Sequence, residues 1–307
     1  MRHTLAGLLA LIIATPLMTP YGALAQDASY DPVRQDPPVV DREFPASKKP
    51  LTFLQDGEEF YGILYYAQGI GPHPTLILLH GFPGFEQNLD LAQALRRSGF
   101  NVVSFHYRGS WGSQGTYSIV NARDDAGAVV RHLRTLDDPR IDAANLGLIG
   151  HSFGGFIALQ AAAEDRFIGC TAALAPTNMG VMATAVRDDP DYRAELEKDS
   201  GDHGPVQAGS GADLIAELEA HPEFEVTSLG DALAPRPLLL IGATNDTTLP
   251  TAIFHEPVAV AFQSLDWPSL EVLLMDGDHS FSWNRIALTD KVTDWAQRSC
   301  QSVPSTP

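Results

Sequence analysis

The chain has 307 residues, of which 44% are hydrophobic, and its formal net charge is −18 at pH 7. This length and composition suffice for one large hydrophobic core, or at most for two domains. The strong acidity excludes nucleic acid and anionic lipid surfaces as partners, because both repel a negatively charged protein.

The first 25 residues are predicted to form a secretory signal peptide. A basic start precedes the apolar stretch Leu5–Met18, and an Ala-x-Ala cleavage site occupies residues 23–25. The stretch is short for a membrane span and contains two prolines, which favours a cleaved signal over an uncleaved anchor. We therefore expect a periplasmic or secreted protein with no stable membrane insertion after cleavage.

Residues 26–50 are polar and proline-rich, which is typical of a linker or an arm lying on the surface. From residue 51 to residue 307 the pattern predicts one domain in which strands alternate with helices. The predicted strands are Leu51–Leu54, Phe60–Tyr66, Thr75–His80, Asn101–His106, Leu146–Gly150, Ile168–Leu174, Leu238–Ile241 and Leu270–Met275. The predicted helices are Leu89–Ser98, Ala122–Leu136, Phe156–Ala163, Thr251–Phe262 and Trp283–Arg298.

This alternation predicts the α/β fold class. Short apolar strands separated by helices form a mostly parallel sheet with helices on both faces. The first two strands are separated by Asp56-Gly57, a hairpin signal, so we expect them to form an antiparallel edge.

Residues 177–232 interrupt the alternation and are predicted to form an inserted lid. The segment holds 13 acids and three bases, so its net charge is −10. Two helix-like pieces, Tyr192–Lys198 and Ala212–Ala220, flank the glycine-rich segment Gly201–Gly211. Because the insertion lies between two sheet strands, we expect it to project from the strand ends, where an active site would lie. The alternative is a solvated insertion without substrate contact.

Cys170 and Cys300 are the two cysteines of the chain. An oxidising compartment would permit a disulfide between them. Cys170 lies in an apolar run, however, and we expect it to be a buried free thiol. Neither cysteine lies near a histidine at a metal-ligand spacing, so we expect no metal site.

The segment Gly150-His151-Ser152-Phe153-Gly154 carries the clearest chemical signal of the chain. It follows an apolar strand and precedes a predicted helix, as a nucleophile elbow of the form G-x-S-x-G does. In such a turn the serine hydroxyl is exposed above the sheet, and the flanking glycines allow close backbone approach. We therefore predict that Ser152 is a catalytic nucleophile.

A serine hydroxyl needs a base, and in sheets of this kind an acid and a histidine follow the serine in chain order. Asp246 and His279 lie just beyond the two last predicted strands. We predict that Asp246 orients the imidazole and that His279 is the general base and then the general acid. The alternative for Asp246 is an Asx turn. Asp276 and Asp278 are too close to His279 in sequence to orient it, and we expect them to form turns or caps.

The backbone N–H groups of Phe82 and Phe153 are predicted to form the oxyanion hole. Phe153 directly follows the nucleophile, and Phe82 lies in the loop after the third strand, a His-Gly-Phe-Pro-Gly sequence at residues 80–84. The alternative for that loop is an ordinary strand-to-helix turn. Chemistry of this kind requires no metal and no organic cofactor.

The loop at residues 80–84, the elbow at residues 150–155 and the intervening segment 107–115 together make residues 51–299 resemble the α/β-hydrolase superfamily. They are similar to bacterial hydrolases related to dienelactone hydrolases and to the catalytic domains of prolyl-oligopeptidase-type peptidases. The resemblance implies an α/β-hydrolase fold with a variable lid. Within segment 107–115, Arg108 is expected to pair with acids near the elbow; alternatively, Tyr107 and Trp111 line the acyl pocket.

Three functions remain open from the sequence. The leading hypothesis is an exported serine hydrolase that cleaves carboxylic esters through an acyl-enzyme. The second is a serine peptidase or amidase, in which lid carboxylates bind an N-terminal ammonium. Either enzyme would take a small-molecule ester or a short peptide as its substrate. The third is a non-catalytic binding protein on the same fold.

Overall fold

The structure is a computed structural model and describes residues 30–301. The predicted signal peptide at residues 1–25 lies outside these residues, as does the beginning of the predicted arm. Within them, a sheet of eight strands forms the centre of the domain. The strands are β1 Ser47–Gln55, β2 Glu58–Tyr66, β3 His73–Leu79, β4 Asn101–Phe105, β5 Ile141–His151, β6 Cys170–Leu174, β7 Leu238–Ala243 and β8 Leu270–Met275.

The spatial order of the strands is β1-β2-β4-β3-β5-β6-β7-β8. Strands β3 to β8 are parallel, whereas β2 pairs antiparallel with both β1 and β4. The predicted hairpin is confirmed: Asp56 and Gly57 have φ angles of 54° and 84°, as a tight type I′ turn requires. Strand β1 begins at Ser47, inside the segment predicted as an arm. The predicted fold class is therefore confirmed.

Helices cover both faces of the sheet. The α-helices are α1 Leu89–Arg97, α2 Ile119–Thr135, α3 Phe153–Glu164, α4 Met179–Asp188, α5 Pro190–Leu196, α6 Gly211–Ala220, α7 Gly230–Leu233, α8 Thr251–Phe254, α9 Glu256–Gln263 and α10 Arg285–Ser299. One hydrophobic cluster includes residues of α2, α3 and α9, and a second includes residues of α1 and α10. None of the helices within residues 30–301 has the length and apolar character needed to cross a membrane.

The helices of the structure differ from the predicted ones in two respects. The predicted helix Thr251–Phe262 is divided into α8 and α9, because Pro257 in the first turn of α9 has no N–H to continue the hydrogen bonding of α8. The sequence prediction also omitted α4 at the start of the lid. The side chain of Asn178 caps this helix by accepting a hydrogen bond from the N–H of Gly180.

Cys170 and Cys300 form a disulfide, so the expected free thiol at Cys170 is wrong. Cys170 is buried, with 2% of its surface exposed, as its apolar surroundings indicated. The sequence could not show that α10 returns over the start of β6, which brings the Cα atoms of the two cysteines within 5.5 Å of each other.

Replacing both cysteines with alanine is expected to lower the free energy of unfolding by about 2–5 kcal/mol. The expected cause is the release of a covalent loop, since the two cysteines are 130 residues apart in sequence. Denaturant unfolding of the wild type and of the Cys170→Ala/Cys300→Ala variant measures the difference. Thiol titration of the unfolded wild type is the control and should detect no free thiol. Equal stability of the two proteins would contradict a stabilising disulfide.

Candidate active site

Ser152 lies at the turn between β5 and α3. Its φ and ψ angles are 57° and −124°, a strained conformation for a residue other than glycine. A side chain at Gly150 would collide with the carbonyl group of Gly154, so the sharp turn depends on glycine at this position. The local sequence therefore forces the serine hydroxyl out of the strand end.

The structure brings Ser152, Asp246 and His279 together. His279 Nε2 lies 2.9 Å from Ser152 Oγ, and His279 Nδ1 lies 2.6 Å from Asp246 Oδ2. The three residues follow β5, β7 and β8, whose carboxyl ends meet at one edge of the sheet. The side chain of Asp246 is buried, and that of His279 is 18% exposed. The imidazole thus joins the buried carboxylate to the serine hydroxyl.

Asp246 also forms the Asx turn that was the alternative interpretation. Its Oδ1 accepts hydrogen bonds from the N–H groups of Thr248 and Leu249 at 2.9 and 2.7 Å, while Oδ2 faces His279. The two interpretations are therefore compatible, because each carboxylate oxygen has one of the two roles. The turn fixes the direction in which the carboxylate faces the imidazole.

The neighbouring acids stabilise the loop that carries His279. Asp278 Oδ1 accepts hydrogen bonds from the N–H groups of Ser280 and Ser282. Asp276 accepts hydrogen bonds from the side chains of Asn245 and Trp283. Asp278 thus forms a local turn, as expected, whereas Asp276 joins the loop of His279 to the loop of Asp246. The acid that contacts the His279 ring is Asp246.

His151 holds the same loop from the opposite side. Its Nε2 donates a hydrogen bond of 2.7 Å to the carbonyl oxygen of His279. Burial lowers the pKa of His151 to about 4, so the ring is neutral at pH 7. Sequence reasoning missed this residue, because the second position of G-x-S-x-G carries no fixed chemical meaning.

The loop at residues 80–84 lies directly against the serine. A methyl group added to Gly81 would lie 2.9 Å from Ser152 Cβ, so only glycine allows this approach. Within residues 30–301, the N–H groups of Phe82 and Phe153 donate no hydrogen bond to another residue. Both N–H groups are thus available to an oxygen atom bound beside Ser152 Oγ.

Buried polar contacts fix this loop. His80 Nδ1 donates to the carbonyl oxygen of Gly81 at 2.7 Å, and the His80 carbonyl accepts a hydrogen bond from the Tyr107 hydroxyl at 3.2 Å. Trp111 Nε1 donates to the carbonyl oxygen of Pro83 at 2.8 Å. Burial lowers the pKa of His80 to about 4, so its ring is also neutral at pH 7.

Arg108 pairs with acidic side chains, as expected. Its guanidinium is buried and pairs with Asp125 on α2 at 2.6 Å and with Asp56 in the hairpin turn at 2.9 Å. Tyr107 and Trp111 do not line the cavity described next, whereas Tyr117 does.

A cavity of about 550 Å³ lies beside Ser152. The core contributes Phe82, Tyr117, Ile119 and Phe153 to its wall. The lid closes the cavity from above with residues of α4, α5 and α6, among them Met182, Leu196 and Leu214. Residues of the insertion at 177–232 therefore line the cavity beside Ser152.

The lid is hydrogen-bonded to the core at two places. On one side, backbone hydrogen bonds of 2.7–2.8 Å join lid residues 205–207 to residues 109–117 of the core. On the other, the carboxylate of Glu217 accepts hydrogen bonds from the N–H groups of Ile119 and Val120 at 3.0 and 2.8 Å. These two N–H groups belong to the first turn of α2, which has no partners for them within the helix.

The part of the chain that the structure describes holds no group of three or more His, Cys, Asp or Glu side chains arranged to bind a metal ion. The polar groups around Ser152 are an imidazole, a carboxylate and two backbone N–H groups. Such a set suits nucleophilic attack on a carbonyl carbon, with a place for the negative charge that develops on its oxygen.

Comparisons with other proteins agree with the fold. The chain is similar to an Escherichia coli protein, the 31.7 kDa protein in the traX-finO intergenic region, with 34% identity over 103 residues, 32% of this chain and 35% of that protein. It is also similar to the protein YfhR of Salmonella typhimurium, with 25% identity over 240 residues, 76% of this chain and 75% of that protein. The alignment thus spans only about a third of the length of the Escherichia coli protein.

Three solved structures share the fold at low sequence identity. Est1E from Butyrivibrio proteoclasticus, solved with ferulic acid bound, has a TM-score of 0.66 at 19% identity, covering 81% of this chain and 98% of that one. The Pyrococcus furiosus esterase Pf2001 has a TM-score of 0.61 at 19% identity, covering 87% and 99%. The Pyrococcus horikoshii acylaminoacyl peptidase has a TM-score of 0.62 at 15% identity, covering 85% and 43%.

The sequence profile of one family matches residues 76–306, which is most of the chain. This match includes the elbow of Ser152, the loops of Asp246 and His279, and the lid. Together with the strand order of the sheet, it identifies the protein: the chain belongs to the Alpha/beta hydrolase family.

Proposed function

We propose that the protein is a serine hydrolase that cleaves carboxylic esters through an acyl-enzyme. The observation that carries the proposal is the continuous hydrogen-bonded chain from Asp246 through His279 to Ser152. In this arrangement a base is in reach of the nucleophile, and the buried carboxylate selects the imidazole tautomer with its proton on Nδ1.

In the proposed reaction, Ser152 Oγ attacks the carbonyl carbon of the ester, and His279 Nε2 takes the hydroxyl proton. Asp246 stabilises the imidazolium, and the N–H groups of Phe82 and Phe153 donate hydrogen bonds to the negatively charged oxygen. The intermediate expels the alcohol, which receives the proton from His279. A water molecule, deprotonated by His279, then attacks the carbonyl carbon of the acyl-enzyme. The bond to Ser152 Oγ breaks, the acid leaves, and His279 returns the proton to Ser152 Oγ.

The lid carboxylates favour an esterase over an aminopeptidase. Three of them line the cavity, and each already has partners within the lid or the core. Asp199 pairs with His203 at 3.1 Å, Asp213 accepts hydrogen bonds from Ser210, and Glu217 binds the start of α2. A substrate ammonium would have to compete with these contacts.

A panel of substrates tests the proposal on protein that begins at Gln26. Chromogenic esters of graded acyl length are compared with aminoacyl and dipeptidyl anilides, each in parallel with the Ser152→Ala variant. We expect ester turnover that the variant lacks, together with little anilide turnover. Serine-dependent anilide turnover that exceeds ester turnover would favour the peptidase, and folded protein without any turnover would favour the binding protein.

We also propose that the protein is exported. The basic and apolar pattern of residues 1–25 supports export, as does the Cys170–Cys300 disulfide, since stable disulfides are typical of oxidising compartments. The intact mass of the protein recovered from the periplasm or the medium should correspond to a chain that begins at Gln26. Cytoplasmic protein that retains residues 1–25 would contradict this proposal.

A further inference from the structure

The cavity beside Ser152 has the properties of a site for a large, uncharged, apolar group. We propose that it binds the acyl group of the substrate, and that the substrates are esters of bulky uncharged monocarboxylic acids, medium-chain alkanoic or arylalkanoic. The lid helices α4, α5 and α6 then set the length of the acyl group. This inference rests on the proposed function, because it names the substrate class of the same site.

The size of the cavity excludes a small acyl group as its natural occupant. Its volume of about 550 Å³ lies in the range of small-molecule binding sites. A water-sized group occupies roughly 30 Å³, so an acetyl group would leave most of the volume to water. The wall is formed largely by aromatic and aliphatic side chains, including Phe82, Tyr117, Met182 and Leu214. Filling it with apolar atoms is therefore favourable.

The position of the cavity distinguishes the acyl group from the alcohol. The leaving oxygen must come within reach of His279 Nε2, which gives it a proton. Among the described residues, Ser152, Phe82 and Phe153 line the cavity, whereas His279 does not. An ester carbonyl held by the two N–H groups therefore places its alcohol on the His279 side and its acyl chain in the cavity.

The charges around the cavity exclude an ionised acyl group. No lysine or arginine is among the described residues that line it. The carboxylates that do line it, those of Asp199, Asp213 and Glu217, accept hydrogen bonds from protein groups. His203 also lines the cavity, but its Nε2 is already paired with Asp199. A second carboxylate on the acyl chain would be buried beside three carboxylates and would meet no lysine or arginine, which is costly. Esters of dicarboxylic acids should therefore be poor substrates.

Residues of the lid form one wall of the cavity, and hydrogen bonds hold the lid against the core. Leu214 lies on α6, three residues before Glu217, whose carboxylate is bound to the start of α2. A larger side chain at position 214 therefore fills the cavity without changing Ser152, His279 or the two N–H donors. The lid residue then determines which acyl lengths fit.

The experiment compares kcat/KM for 4-nitrophenyl octanoate, acetate and hemisuccinate in the wild type and in Leu214→Trp. We expect the wild type to prefer octanoate over acetate and to discriminate against the hemisuccinate. In Leu214→Trp the ratio of kcat/KM for octanoate to that for acetate should fall by roughly 30-fold or more, because the indole occupies the space of several methylene groups of the acyl chain. Ala216→Trp is the matched control, since Ala216 is exposed on the same helix, and its ratio should equal that of the wild type.

Two kinetic results would overturn the inference. One is an unchanged octanoate-to-acetate ratio in Leu214→Trp that melts like the wild type. The other is a wild-type preference for acetate. Calorimetric titration of Ser152→Ala with methyl octanoate and methyl acetate separates binding from turnover. Ser152→Ala should bind methyl octanoate more tightly than methyl acetate, and adding Leu214→Trp should weaken the binding of the octanoate. These two results would support the pocket even if the wild type hydrolysed no ester, and the proposed function alone would then fail. Equal binding of both esters would contradict the pocket.

Discussion

Replacing Ser152 with alanine is expected to lower kcat/KM for the best ester substrate by roughly 10⁴–10⁶-fold. The variant keeps His279, Asp246 and both N–H donors, but it has no oxygen to form the acyl-enzyme. Residual turnover by direct attack of water, assisted by the oxyanion hole, accounts for the lower limit of the effect.

Steady-state kinetics with a chromogenic ester measure this loss, and thermal unfolding shows whether the variant is folded. Ser264→Ala provides a matched control, because Ser264 is an exposed serine at the end of α9 and its loss should leave kcat/KM unchanged. A Ser152→Ala protein with near-normal kcat/KM would remove the assignment of the nucleophile.

Acidification from pH 7 to pH 5 is expected to destabilise the folded protein through three buried histidines. Burial lowers the pKa of His80, His151 and His255 from 6.5 to about 4. Between pH 6.5 and pH 4, each of these histidines is protonated in the unfolded chain but neutral in the folded protein. The free energy of unfolding therefore falls as the pH decreases from 6.5 toward 4. At pH 5 each histidine contributes a loss of about 2 kcal/mol.

The contribution of one histidine is isolated by His255→Gln, which removes a titrating group outside the hydrogen-bonded chain of Ser152. The free energy of unfolding of both proteins is measured by denaturant titration at pH 7 and pH 5. The variant should lose about 2 kcal/mol less than the wild type over this interval. Identical pH dependence of the two proteins would show that His255 does not titrate as its burial implies.

The site residues that could be predicted from the sequence are those that follow the ends of strands. Apolar runs located β5, β7 and β8, and parallel strands bring their carboxyl ends to one edge, so Ser152, Asp246 and His279 were predicted to meet. The glycines of the elbow were informative for a steric reason, since Gly150 has no room for a side chain.

Contacts between segments that are distant in sequence could not be predicted from the sequence pattern. Cys300 meets Cys170 because α10 returns over the sheet, and nothing in the local sequence of either cysteine indicates this. The contact between His151 and the loop of His279 likewise depends on the order of β5 and β8 in space. Glu217 is one of the 13 acids of the lid, and its contact with the first turn of α2 depends on how the lid packs on the core.

The Cys170–Cys300 disulfide closes a covalent ring that contains the whole lid together with Asp246 and His279. A protease that cuts any single bond between the two cysteines therefore cannot release a fragment. The part that carries His279 stays attached to β6, the strand beside β5, and β5 ends directly before Ser152. In the proposed exported protein, which would meet proteases that prefer surface loops, a nicked lid would still leave Ser152 and His279 in one molecule.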